Sequence, residues 1–220
     1  MKTLLIVGAG RSYPDKETIK KLIKDEPFIL SVDGGYDFLS LNDIRPDLFL
    51  GDFDSISNID SGFIERMEAG GRLLKYPVKK DMTDMELAIN WAYDKGFKKI
   101  YVLGALGTRM DHGLININLI SFFTRKGLDI KIYSEHNIIS YLCEGSYRLD
   151  LPPAGFYTSF IAYPSPVTIS LKGFEYNLDR AILVPDSSLA ISNHIIDEDN
   201  LVTIEEAGGG GVICLHSLDK

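Results

Sequence analysis

Residues 100–133 read IYVLGALGTRMDHGLININLISFFTRKGLDIKIY, and this stretch decides the fold. Ile100 to Leu103 and Ile130 to Tyr133 are short apolar runs, and between them Asp111 to Arg125 carries a helical pattern. A strand, a helix and a second strand within roughly thirty residues make the unit that joins two parallel strands. The same alternation runs back to the N-terminus. Apolar runs recur at Thr3–Val7, Phe28–Val32, Leu48–Leu50 and Leu73–Tyr76, separated by helical patterns over Asp15–Lys24, Tyr36–Leu41, Ile59–Ala69 and Thr83–Lys95. Strands that are apolar throughout, rather than alternately, belong to a sheet covered on both faces. The expectation is an α/β domain built on a parallel, Rossmann-like, doubly wound sheet of about six strands.

The punctuation agrees. Thr83 is followed by Glu86 three residues on, a capping box, and Gly96 stops the same helix after Leu87, Ala88, Trp91 and Ala92. Trp91 reads as a core side chain on that helix. Beyond Asn137 the helical period disappears and short β-rich runs lie between turn residues: Ile138–Leu142, Tyr157–Tyr163, Val167–Leu171, Ala181–Val184, Leu201–Glu205 and Gly211–Leu215. Closely spaced short strands predict a smaller all-β sandwich. The domains expected are therefore 1–135, α/β, and 136–220, β-sandwich, with Gly208 to Gly211 as a turn.

Composition sets limits on function. Of 220 residues 45% are hydrophobic and 25% charged, the balance of a folded globular chain. Asp and Glu number 31 against 23 Lys and Arg, a net charge of −8, which excludes nucleic acid as a partner because its phosphates require a basic face. Cys143 and Cys214 stand alone, without ligand spacing, so neither a disulfide scaffold nor a zinc site is expected. The apolar run in Met1 to Gly10 is too short for a signal peptide or a membrane span. A cytoplasmic protein with no membrane association is expected.

In a parallel sheet, ligands bind beyond the carboxyl ends of the strands. There the chain places Gly8-Ala9-Gly10-Arg11, then Asp33-Gly34-Gly35, Gly51-Asp52-Phe53-Asp54-Ser55, Lys79-Lys80-Asp81-Met82-Thr83-Asp84, and Gly104-Ala105-Leu106-Gly107-Thr108-Arg109-Met110-Asp111-His112. Any single Asp after a strand is commonly a cap or turn residue. Acidic turns after four of these five strands are harder to explain that way. Mg2+ takes hard oxygen ligands from carboxylates and phosphates, so Asp52 and Asp54, with Asp33, Asp81 and Asp84 near, suit a metal-nucleotide site. Lys80 and Arg109 would neutralise phosphate, and the glycines would let backbone N–H groups approach it. Two familiar phosphate loops are absent: no GxxxxGK[ST] run exists, and Tyr13 stands where GxGxxG needs its third glycine.

Taken in order, the segments DGG at 33–35, GDFDS at 51–55, KDMTDME at 80–86 and GALGTRMDH at 104–112 resemble the bacterial thiamine pyrophosphokinases. The β-rich tail with Ile191-Ser192-Asn193 is similar to that family's second domain. The resemblance implies transfer of diphosphate from ATP to the hydroxyethyl oxygen of thiamine, with Mg2+, in a homodimer whose thiamine site lies at the subunit interface. By it, Asp52, Asp54, Asp81 and Asp84 would hold the metal, with Arg109 and Asp111 at the phosphates. Gly10, Arg11, Asp33, Gly34, Gly35, Lys80, Thr83, Gly107 and His112 would bind nucleotide, and Ser192 and Asn193 thiamine. Asp54, Asp81, Asp84, Arg109 and Asp111 would form the catalytic set, with Asp84 or Asp111 accepting the alcohol's proton. Some members carry a tryptophan soon after the Ser-Asn element. Here His194-Ile195-Ile196 follows, leaving Tyr or Phe residues to face the thiamine rings. Two other functions suit the bare residues: a diphosphotransferase acting on another alcohol such as a hydroxymethyl pterin, or a non-catalytic nucleotide or metal sensor.

Overall fold

A computed structural model describes residues 3–51, 61–76, 81–205 and 207–219, with the side chains of 61–64 excepted. The chain clusters into two compact units, Met1–Leu119 with Leu128–Glu135, and Ile120–Gly127 with His136–Lys220.

The first unit alternates strand and helix: β1 (Thr3–Val7), α1 (Lys16–Ile23), β2 (Phe28–Val32), α2 (Gly35–Leu41), β3 (Leu48–Gly51), α3 (Ser61–Ala69), β4 (Leu73–Lys75), α4 (Asp84–Asp94), β5 (Lys99–Leu103), α5 (Met110–Arg125) and β6 (Asp129–Tyr133). Every pairing is parallel, in the order β4-β3-β2-β1-β5-β6. β1 lies between β2 and β5, and Leu4 to Val7 are wholly buried. A strand covered on all sides has no polar face, which is why TLLIV shows no alternation. The helices begin where their caps place them. Asp15 accepts from the Thr18 amide at 2.7 Å to open α1, and Thr83 accepts from the Glu86 amide at 3.2 Å to open α4. Trp91 lies against Phe28 and Phe97 at the surface side of α4, half-buried rather than in the deep core.

The second unit holds β7 (Asn137–Leu142), β8 (Gly145–Tyr147), β9 (Phe156–Tyr163), β10 (Val167–Lys172), β11 (Leu178–Leu183), β12 (Leu201–Glu205) and β13 (Gly211–Leu218). β13 pairs antiparallel with β7 and β9, while β10 pairs with β11 and β12, and β12 with β8. One core joins both sets: Phe160, Ala162, Val212 and Cys214 from the first pack with Ile169, Leu171, Leu183 and Ile204 from the second. That is a β-sandwich. β8 has no counterpart in the sequence reading. Three residues, one of them a glycine, leave no period to detect.

Candidate active site

The strand order turns at β1, with β2, β3 and β4 to one side and β5 and β6 to the other. Loops leaving β1 and β5 diverge at such a point and open a crevice. A cleft of about 370 Å³ lies there, lined by the loops after β1 and β5, the end of β2, and the start of α4. Gly10, Arg11, Asp33, Thr83, Asp84, Gly107, Arg109 and His112 all line it, as the sequence suggested. Asp52, Asp54 and Lys80 lie outside the described residues. Asp81 sits exposed in the turn before α4, and neither it nor Gly34, Gly35 or Asp111 is on the cleft wall.

The glycines serve a purpose other than the one expected. The Gly8 N–H donates to the Leu103 carbonyl and the Gly10 N–H to the Gly104 carbonyl, each at 2.9 Å. These two amides are therefore spent on fastening the loop after β1 to the loop after β5. A Cβ on Gly10 would lie 2.4 Å from the Leu106 oxygen and 2.5 Å from the Gly104 oxygen. Gly104, at φ +63°, faces the Gly8 carbonyl, which a Cβ there would approach to 2.2 Å. Both residues are small because two backbones cross, and the Gly10 amide already has its acceptor within the protein. Gly35 has a similar use: buried at the start of α2, it would drive a Cβ to 2.0 Å from the Val7 oxygen. Tyr13, in place of a third glycine, donates its hydroxyl to the Gly8 carbonyl at 2.8 Å and stacks on Phe38 at 3.7 Å. Burial, with the Asp37 charge behind it, pushes the Tyr13 phenol up to about 12, so it stays a neutral donor.

Arg109 and Asp111 form a fork. The guanidinium Nε donates to Asp111 Oδ1 at 3.2 Å and Nη2 to Oδ2 at 2.5 Å, while Oδ1 also accepts the His112 amide at 3.0 Å. The hydrogen bond from Arg109, helped by the His112 amide, holds the Asp111 carboxyl at about 2, far below the usual carboxylate range. The same contact raises the Arg109 guanidinium. Asp111 is thus a committed anion that aims Arg109, whose exposed head reaches the cleft from the start of α5.

One wall residue escaped sequence reading. Asn116 is 6% exposed and donates from Nδ2 to the Ala105 carbonyl at 2.7 Å, pinning the loop after β5. Its signal was present in the run LININ, where a polar residue interrupts the apolar side of a helix.

In the second unit Ser192 is exposed in the left-handed region at φ +57°. Asn193 is 2% exposed. Its Oδ1 accepts from the amides of Tyr176 and His194, and its Nδ2 donates to the Tyr176 carbonyl at 2.7 Å.

Comparison with known proteins settles the kinship. The family model for the thiamin pyrophosphokinase catalytic domain matches residues 19–132, and that for the thiamin pyrophosphokinase vitamin B1 binding domain matches 146–209. A thiamine pyrophosphokinase of Bacillus subtilis is 32% identical over 205 residues, covering 89% of this chain and 91% of its own. The chain belongs to the thiamine pyrophosphokinase family. Among solved structures, a Bacillus subtilis thiamine pyrophosphokinase superposes with a TM-score of 0.85 at 30% identity, covering all of both chains. The yeast thiamin pyrophosphokinase is similar in fold, with a TM-score of 0.76 at 11% identity over 99% of this chain and 86% of its own. The match to the catalytic-domain model of thiamin pyrophosphokinase begins within α1 and ends within β6, so the cleft described above falls within it apart from the loop after β1.

Proposed function

We propose that this chain transfers the diphosphate of ATP to the hydroxyethyl oxygen of thiamine, releasing thiamine diphosphate and AMP. The observation that carries the reading is the coincidence of two matches with two units: a catalytic-domain match over the crevice-bearing sheet and a vitamin B1-binding match over the sandwich. The second favours thiamine over a pterin as acceptor, and the first favours an enzyme over a sensor.

In the reaction, the alcohol oxygen bonds to the β-phosphorus of ATP. The bond from that phosphorus to the α–β bridging oxygen breaks, and AMP departs with the oxygen. Such transfers depend on positioning and charge neutralisation more than on covalent help from the protein. Arg109, aimed by Asp111, meets the charge that develops on the transferred group. Asp111 is too weak a base for the alcohol's proton, being held at about 2 by Arg109, so Asp84 on the cleft wall is the better acceptor of the two considered. Thr83 caps α4 and thereby fixes Asp84, the helix's first residue, in place. Arg11 and His112 lie on the same wall, where they contact nucleotide.

The donor chemistry of the cleft fits Mg2+. Asp33 and Asp84 supply hard carboxylate oxygens to one crevice, although no group of three such ligands occurs among the described residues. An ion held by one or two carboxylates, triphosphate and water needs no more. With Asp84 as the base, Asp52, Asp54 and Asp81 remain of the four expected ligands, and one or two of them would hold the ion; when bound it would offset triphosphate charge and favour attack at phosphorus. We assign residues 1–135 to nucleotide and 136–220 to thiamine, in a cytoplasmic homodimer with thiamine at the subunit interface. Cys143 and Cys214 are in no disulfide, which suits a reducing compartment, and no described helix is long and apolar enough to cross a membrane.

Calorimetry tests the acceptor. Thiamine should bind in the presence of a nonhydrolysable ATP analogue, and a hydroxymethyl pterin should not; the reverse order would overturn the assignment.

A further inference from the structure

The first unit holds a second cavity, of about 510 Å³, walled by α2, the turn from α2 into β3, β3 itself and α3. It shares no described residue with the cleft. A volume of that size is ordinary for a small-molecule pocket. One part of its wall is apolar: Phe49 is 2% exposed, its ring lies 5.3 Å from that of Tyr36 at 49°, and Ile44 and Met67 adjoin them. The other part carries Arg45 and Arg72. Arg72 is fixed before any ligand arrives, because Nε donates to the Asp47 carbonyl at 2.9 Å and Nη2 to the Pro46 carbonyl. Both acceptors are neutral, so these bonds hold the guanidinium without cancelling its charge, and its other N–H groups stay open. The Asp47 carboxylate is engaged elsewhere, Oδ2 accepting the Ile29 amide at 2.8 Å.

Tying down the turn before β3 accounts for the two carbonyl bonds of Arg72. It does not account for Arg45, which is exposed on the same wall and, like Arg72, has no carboxylate partner among the described residues. Asp43 contributes one negative charge, so the wall keeps an excess of one positive. Two guanidiniums at one cavity suit a doubly charged oxyanion, whose oxygens take their N–H groups in pairs. Two aromatic rings beside them suit a planar apolar body. We propose that this cavity binds an aromatic phosphate monoester, with the phosphate at Arg45 and Arg72 and the ring against Tyr36 and Phe49. The site is separate from the cleft and does not depend on which alcohol accepts the diphosphate.

Amide NMR of the full chain, titrated with phenyl phosphate, tests it. Phenyl phosphate also suits the cleft, so the place of the shifts decides: saturable changes should appear at Ile44, Arg45 and Phe49. Phenol and benzylamine, which lack the anion, should bind there at least about tenfold more weakly. Arg72→Ala would also free two backbone carbonyls, so the deciding variant is Arg45→Ala, which breaks no bond in the protein. It should weaken binding roughly fivefold or more with the thermal midpoint unchanged, and Arg45→Lys should recover part of the loss. Asp43→Asn should tighten binding roughly two- to threefold by removing the one opposing charge. Shifts confined to residues 8–11 and 104–112, phenol binding as tightly as phenyl phosphate, or undiminished affinity in Arg45→Ala would overturn the site. Thiamine-dependent AMP formation by Arg45→Ala should stay within about twofold of the unaltered chain. A tenfold loss would join Arg45 to the nucleotide cleft and overturn the separation of the two sites.

Discussion

At the scale of single residues, the Arg109–Asp111 fork is where electrostatics becomes chemistry. Asp111 has one strong partner and an amide, and both favour its ionised form. Carboxyl NMR should find it titrating near 2, and in Arg109→Ala it should return toward the usual value of about 4. Because its folded value lies below the unfolded one, its small contribution to stability is present above about pH 4 and is lost as pH falls through about 2. Arg109→Ala should lower kcat by roughly a hundredfold or more, as the loss of a charge-stabilising donor does. Asp111→Asn should cost less and leave the acidic limb of the pH profile in place, since Asp111 holds the arginine and takes no proton. A pH–rate profile that loses its acidic limb in Asp111→Asn would instead make Asp111 the base.

The elements show what a sequence can and cannot disclose. β1, β2 and β5 were legible because burial leaves mostly apolar runs, β6 because Ile130, Ile132 and Tyr133 remain apolar around Lys131, and α1 and α4 because Asp15 and Thr83 announce their starts. The edge of the sheet was legible too, since topology sends residues after each strand toward one crevice. Which hydrogen bonds those residues make was not. Gly10 lies on the cleft with its amide bonded to the Gly104 carbonyl, and Asn193 is buried with its side chain bonded to Tyr176 and His194. Residue type and spacing carry no record of whether a polar group is already satisfied. Two outcomes follow at this scale. Gly35→Ala should destabilise the chain by about 3 kcal/mol or more in denaturant unfolding, because backbone rather than a flexible side chain stands in the way. Asn193→Ala should cost about 1 kcal/mol or more, removing the side-chain partner of the Tyr176 amide and carbonyl. A change below about 0.5 kcal/mol in either would show that the loops simply move aside.

For the whole molecule, the acidic excess of eight and the two-part architecture have a common sense. Asp33 and Asp84 lie on the cleft at the carboxyl edge of the parallel sheet beside Arg11 and Arg109, and on the proposed reading a protein of negative charge would meet a polyphosphate there through a cation and a few aimed basic groups rather than through a basic surface. Division of labour between units predicts separable effects: Asp54→Asn should reduce turnover by roughly a hundredfold or more with thermal stability unchanged, as expected of a carboxylate that serves the metal. Near-normal turnover would remove Asp54 from the metal set. The central claim, a diphosphate rather than a single phosphoryl group transferred to thiamine, is tested most directly by the nucleotide product. Incubated with ATP, Mg2+ and thiamine, the protein should release AMP in equal amount to thiamine diphosphate, and none without thiamine; ADP with thiamine monophosphate, or nucleotide turnover indifferent to thiamine, would contradict it.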